Sequence, residues 1–259
     1  MKKVLAIGNT AALIITIAIN YLSNTGLLNG NTMGSVSARY DNYFTPAGYA
    51  FSIWGLIYLS LAGFIVFNWT SKTDPDRAVV SRIGWWFVIS CAANSMWIFA
   101  WLYDYTALSV LIMIILFISL FKIVRNAGIG NAAEPFRRRL LVHWPFSIYF
   151  GWISVAMIAN IAAYLTKEGW DGWGIPAATW AIVMVCVAGL VNILVVRTRR
   201  LLAYGLVGIW AVIAIAVANA GRSEARQVVY ACYGTALIIA IFVVLTALKG
   251  GQLERRQGS

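Results

Sequence analysis

Charge is scarce in this sequence, and it is missing where several kinds of chemistry would need it. Only 11% of the 259 residues are charged, with nine acidic side chains and a single histidine, against about 25% charged in a soluble domain. No carboxylate, lysine or arginine lies at depth within the long apolar segments. Ion-coupled transporters, proton pumps and voltage sensors put such groups at membrane depth, because moving charge needs charge-bearing partners there. Intramembrane proteolysis and metal catalysis lose their weight on the same ground, since no Asp pair, His cluster or Ser–His arrangement occurs within a span. Glycine-rich phosphate loops are absent too. Cys91, Cys186 and Cys232 are far apart, with no CxxC and no histidine nearby, and read as small apolar packing residues. His143 stands beside Trp144 at the end of an apolar run, where a snorkelling or headgroup role is expected.

What the sequence does have is apolar length: 61% of it is hydrophobic, against about 45–50% in soluble chains. A hydrocarbon core of about 30 Å asks for roughly 20 apolar residues per helix, and eight segments meet that requirement. They lie near Val4–Tyr21, Ala47–Trp69, Ile83–Tyr103, Ala107–Val124, Leu140–Leu165, Ile175–Val196, Leu201–Ala220 and Val228–Leu248. A barrel strand would need only about ten alternating residues, so the expected class is all-α: a polytopic membrane helix bundle. Sixteen of the 20 Lys and Arg residues fall on one set of connections, and only Arg39, Lys167, Arg222 and Arg226 on the other. Positive charge is retained on the cytoplasmic side, so both termini are expected there. Basic runs such as Arg137–Arg139 then read as topology signals touching anionic lipid headgroups, and the +11 net charge implies no nucleic-acid partner. The start, Met1-Lys2-Lys3 before an apolar run, imitates a secretory signal; its length and the lack of a small-x-small cleavage site favour a retained first helix.

Aromatic rings are the other abundance, with twelve each of Trp, Tyr and Phe. Trp69, Trp85, Trp86, Trp144, Trp170 and Trp173 lie near span ends, where an amphipathic indole prefers to sit. Three deeper tryptophans keep polar or small company at helical spacing. Pro46 opens the second span, with Trp54 and Tyr58 one turn apart below it. Ser90, Asn94, Trp97 and Trp101 form a stripe on the third span, and Tyr149, Trp152, Ala156 and Asn160 form another on the fifth. These stripes should point inward, because an amide facing lipid goes unsatisfied at a cost of several kcal/mol. At 1.5 Å per residue Trp54, Asn94, Trp97 and Ala156 share one level, about 9–13 Å below the same end of their spans. Above that level lies Leu22–Thr45, rich in Asn, Gly and Ser, and long connections of this kind serve as lids or binding elements. The alternative for each group is structural: buried Asn ties helices together, and Trp fills bundle cores.

These residues resemble the TspO/MBR family, the tryptophan-rich sensory or translocator proteins. That family has a Pro-Pro pair, a Trp eight residues after the second Pro and a Tyr four further on, as do Pro46, Trp54 and Tyr58 here. Its third helix has an Asn three residues before a Trp, matched by Asn94 and Trp97, and its fifth helix has a Trp-to-Asn run echoed by Trp152, Ala156 and Asn160. The first Pro of the pair is Thr45 here, the family's third-helix Gln is Ser90, and the fifth-helix Pro is displaced to Pro145. Family members have five helices, so the resemblance covers residues 1–165, with 166–259 as an additional three-helix membrane segment.

The resemblance implies a pocket under the first connection, lined by Pro46, Trp54, Tyr58, Asn94, Trp97, Trp152, Ala156 and Asn160, for porphyrins, haem, sterols or synthetic aromatic ligands. It implies no obligatory cofactor, with porphyrin or haem as a ligand. Several relatives dimerise, which leaves a homodimer open. Arg39 is the one basic residue near the mouth for a ligand carboxylate. The expected function is therefore an integral ligand-binding, sensory protein of a bacterial cytoplasmic membrane. A small-molecule permease and a tetrapyrrole-degrading enzyme are the alternatives, the enzyme weighing least.

Overall fold

The structure, a computed structural model, describes residues 2–130 and 134–257; Met1, at the head of the signal-like start, lies outside them. Every regular element among the described residues is helical. The long helices are α1 (Lys2–Asn24), α3 (Ile53–Thr70), α5 (Trp86–Leu102), α6 (Thr106–Asn126), α8 (Trp144–Lys167), α9 (Ala177–Arg199), α10 (Leu202–Asn219) and α11 (Arg226–Gln257), with short α2 (Met33–Arg39), α4 (Asp74–Ile83) and α7 (Phe136–Arg138) between them. Among the described residues seven stretches are long and apolar enough to cross a membrane, and α5, joined to α4 through a 41° bend, makes the eighth. The bundle is thus a polytopic membrane helix bundle.

Local chemistry sets the breaks. Ile83, expected at the head of the third span, closes α4 instead, because Gly84 follows it at φ 53°, a conformation that only glycine adopts freely. Pro46 does not open the second helix directly; a 3-10 turn, Gly48–Ser52, intervenes before α3. A π turn, Arg139–His143, precedes Pro145: proline offers no N–H to the carbonyl four residues back, and the ladder slips at that point. The connection after α1 is partly helical, since Thr32 and Ser35 cap α2 reciprocally.

The bundle is apolar outside and polar within. Ile14, Leu59, Leu190 and Leu237 are exposed, whereas Asn9, Asn20, Asn94, Asn160, Asn192 and Asn219 are buried. That is the distribution a lipid solvent selects, because carboxamides find partners only inside. Among the described residues the main hydrophobic core runs from Leu13 on α1 to Cys232 on α11, and Val196, Ile239 and Val243 form a smaller cluster. α10 is the wedge that carries the core into the last three helices. It lies against α8 at Gly151, where an added Cβ would stand 3.1 Å from the Tyr204 carbonyl oxygen, and it meets α9 at Gly208, where a Cβ would fall 2.1 Å from Asn192 Oδ1.

Two expectations change. His143 is buried rather than snorkelling. Arg137 and Arg138 have protein partners, since both pair with Asp76, at 3.0 and 2.9 Å, and Arg138 also pairs with Glu134.

Candidate functional site

α3, α5 and α8 converge around Trp54. Its ring stacks on Tyr58 (5.6 Å between centroids), lies 6.5 Å from Trp97, and meets Tyr149 (5.9 Å) and Trp152 (6.3 Å) edge-on. Trp97 stacks in turn on Trp101 at 5.8 Å. Each such pair is worth about 0.5–1.5 kcal/mol beyond burial, so the cluster is a rigid wall. Helical spacing produces it: residues three or four apart on each helix present their rings at successive turns of one face.

Hydrogen bonds fix the wall. Asn20 Nδ2 donates to Asn94 Oδ1 (2.9 Å), and Asn94 Nδ2 donates to the Tyr149 hydroxyl (3.0 Å), clamping α1, α5 and α8 together. Trp97 Nε1 donates to Asn160 Oδ1 (2.7 Å), while Asn160 Nδ2 donates to Ser109 Oγ (2.8 Å), which brings in α6. Trp101 Nε1 donates to the Met33 carbonyl at 3.2 Å and so anchors α2. Both carboxamides are therefore engaged with protein. The indole N–H groups of Trp54 and Trp152 are different: both are buried and have no hydrogen-bond partner among the described residues.

A cavity of about 40 Å³ lies against this wall. Of the residues picked out from the sequence, Pro46, Trp54, Trp97, Trp152, Ala156 and Asn160 line it. Tyr58 and Asn94 are not among its lining and stand behind Trp54 and Tyr149 as supports. The sequence reading placed Trp101 on the inward stripe without assigning it to the pocket, and missed Ser37, Thr45 and Phe51 from the covering segment and Ala211 from α10. Ala211 follows Trp210 in an otherwise aliphatic run, and nothing in that run marks it as a lining residue.

α10 also holds the cover shut. Ala47 N–H, left outside the helical ladder, donates to the Ala214 carbonyl (3.0 Å), and Asn219 Nδ2 donates to the Tyr43 carbonyl (3.0 Å). Trp210 packs edge-on against Tyr49 at 5.1 Å. Arg222 pairs with Asp41 and lies 5.9 Å from the Tyr43 ring.

With this geometry in view, comparison with known families is decisive: a family model described as TSPO-like protein matches residues 5–245. The chain belongs to the TSPO-like family. The match passes residue 165, where the motif resemblance stopped, and takes in α9, α10 and most of α11. No curated protein and no solved structure matches the chain.

The cover of this TSPO-like protein is pinned at a second corner, on the turn between α5 and α6. Asp104 accepts hydrogen bonds from the Tyr40 hydroxyl at 2.7 and 2.8 Å, and Lys167 Nζ lies 3.2 Å from the same carboxylate. Lys167 Nζ also donates to the Asp104 carbonyl at 2.6 Å. Burial first, then the hydrogen bond to Asp104 and its charge, raise the Tyr40 pKa above the ordinary tyrosine value, with Lys167 and Arg39 opposing. Arg39 is half-exposed, donates to Asn31 Oδ1 at 2.9 Å and stands 3.9 Å from Asp104. It does not line the cavity.

Proposed function

We propose that this TSPO-like membrane protein is a ligand-binding, sensory protein that takes a hydrophobic aromatic small molecule, porphyrin- or haem-like or sterol-like, between α3, α5 and α8. The observation that carries the reading is the pair of unpartnered indole N–H groups at one aromatic cavity. A buried donor without an acceptor costs about 1–3 kcal/mol, and native interiors tolerate few of them. A flat ligand with acceptor atoms along one edge offsets that cost at Trp54 and Trp152 while its faces contact the surrounding rings. The amides of Asn94 and Asn160 are engaged with protein partners and hold the rings at the right angle.

Size adds a condition. Drug-sized ligands occupy pockets of about 300–1,000 Å³, far above the 40 Å³ between the walls, so the ligand enters as the segment from Tyr43 to Phe51 lifts. Its attachments to α10 are few, and include the hydrogen bonds at Ala47 and Tyr43 and the Tyr49–Trp210 ring contact. In this reading the three additional helices supply the latch of the sensor, both termini face the cytoplasm of a bacterial cell, and the sixteen-to-four distribution of Lys and Arg supports that placement.

Quenching of tryptophan fluorescence by protoporphyrin, with the full chain in detergent, tests the site. Saturable quenching is expected in the wild type and is lost in the Trp54→Ala/Trp152→Ala variant, with circular dichroism confirming retained helix. Equal saturable quenching in both proteins rejects the site.

A further inference from the structure

A second and larger cavity lies on another face of α8. It measures about 280 Å³, close to the lower bound of roughly 300 Å³ for small-molecule sites. α9 leans on α10 and α11 and makes little contact with α8, so a cleft opens between α8 and α9 at the covered end of the bundle. Ile158, Ile161 and Ala162 form one wall and Ala181 and Met184 the other, with Tyr43 and Phe44 of the covering segment at the end. The central cavity uses Val155, Ala156 and Ala159 of the same helix, so α8 stands between the two sites.

The mouth of the cleft is aromatic and acidic. Trp170 and Trp180 line it, 5.4 Å apart between ring centroids. Trp180 is held in place because its Nε1 donates to the Gly172 carbonyl (2.9 Å), and its ring packs where a Gly172 side chain would stand, 3.2 Å from an added Cβ. Asp171 sits between these rings in the chain and also lines the cleft. One of its carboxylate oxygens accepts from Trp173 N–H at 2.9 Å. Asp41 and Asp104, the other aspartates at this end, are each in an ion pair; Asp171 is in none among the described residues. An apolar slot of this width, closed by two indoles and an unneutralised carboxylate, has the features that recognise a substituted ammonium group on a hydrophobic body. Ring quadrupoles attract the cation, the carboxylate supplies the opposite charge, and the slot takes the body out of water.

We propose that this α8–α9 cleft is a binding site for lipophilic cations, with the ammonium head at Trp170, Trp180 and Asp171 and the apolar body between Ile161 and Met184. The site is separate from the central cavity, across α8 from it.

Equilibrium dialysis of labelled benzyldimethylhexylammonium against the detergent-solubilised full chain, beside its neutral carbon isostere, tests this. The cation binds saturably and about tenfold tighter than the isostere, the preference expected from a desolvated cation–ring contact together with one charge. Asp171→Asn keeps the oxygen that accepts from Trp173 and loses most of that preference. Met184→Trp fills the slot and abolishes binding of both compounds, and Ala181→Leu, a milder filling, weakens both should the first variant fail to fold. Trp54→Phe/Trp152→Phe leaves probe affinity unchanged, because those rings lie on the other side of α8. Equal affinity for cation and isostere, full cation affinity in Asp171→Asn, or a change in the Trp54/Trp152 variant would each overturn the assignment. Phosphatidylcholine titrated into the detergent is expected not to displace the probe; stoichiometric displacement would give the site to a lipid headgroup and overturn the free-cation reading.

Discussion

Replacing Trp54 and Trp152 by phenylalanine separates two effects that normally travel together. Both tryptophans are almost fully buried, at 5% and 3% exposure, and stripping such a ring from a core ordinarily costs about 3–5 kcal/mol. Phenylalanine keeps an edge contact at each site, with Tyr149 for position 54 and with Phe51 for position 152, but removes the unpartnered donor. Relief of the buried N–H returns about 1–3 kcal/mol, while the smaller ring adds void worth about 1 kcal/mol per site. The terms nearly cancel or favour the variant, so each single variant should unfold at the wild-type temperature or above it. Ligand binding moves the other way. Each lost donor withdraws one hydrogen bond of about 0.5–1.5 kcal/mol, which is about two- to twelvefold in the dissociation constant. Thermal melting followed by circular dichroism reads the first effect, and the change in porphyrin Soret absorbance on titration reads the second. A stability loss of about 3 kcal/mol with unchanged affinity would refute the reasoning, because it would mean that the indole N–H groups are satisfied elsewhere and the ring volume alone matters.

Three further outcomes follow from the same geometry. Arg222→Ala breaks the ion pair to Asp41; being exposed it changes stability by less than about 1 kcal/mol, yet ligand release should quicken as the cover loosens, a difference measurable by stopped-flow quenching. Gly151→Val pushes α8 off the α10 backbone and should cost about 1–3 kcal/mol by overpacking, read from the melting temperature. Tyr40 holds its proton more tightly in the folded protein than in the unfolded chain. Its stabilising effect is therefore complete below the ordinary tyrosine pKa near 10 and lost as pH rises through the higher folded value. Phenolate absorbance should show this residue titrating late, and Tyr40→Phe should remove that late transition.

Much of this protein is legible because lipid is an exacting solvent. Run length alone locates the spans to within a few residues, since each must cover the same hydrocarbon thickness, and inward-facing stripes follow because carboxamides have no partner in lipid. The predicted convergence of Trp54, Trp97, Trp152 and Asn160 on one cavity rests on that rule, and these residues do meet. Interruptions were harder to place: Gly84 ends α4 through its φ of 53°, and no hydrophobic pattern registers that.

Partnership was legible only as an alternative, without its partners. Sequence spacing ranks Asn94 and Asn160 as ligand-facing amides, but the tertiary structure engages the oxygen and the nitrogen of each with Asn20, Tyr149, Trp97 and Ser109, and leaves the indole donors of Trp54 and Trp152 unpartnered at the cavity. Residues 166–259 read as an appendage by motif, yet α10 brings Ala211 to the cavity wall and fastens the cover through Ala47 and Tyr43. One chain's solvent preference determines which helices form and which faces turn inward. Which inward groups find each other depends on the close approach of helices far apart in sequence, and only packing decides that.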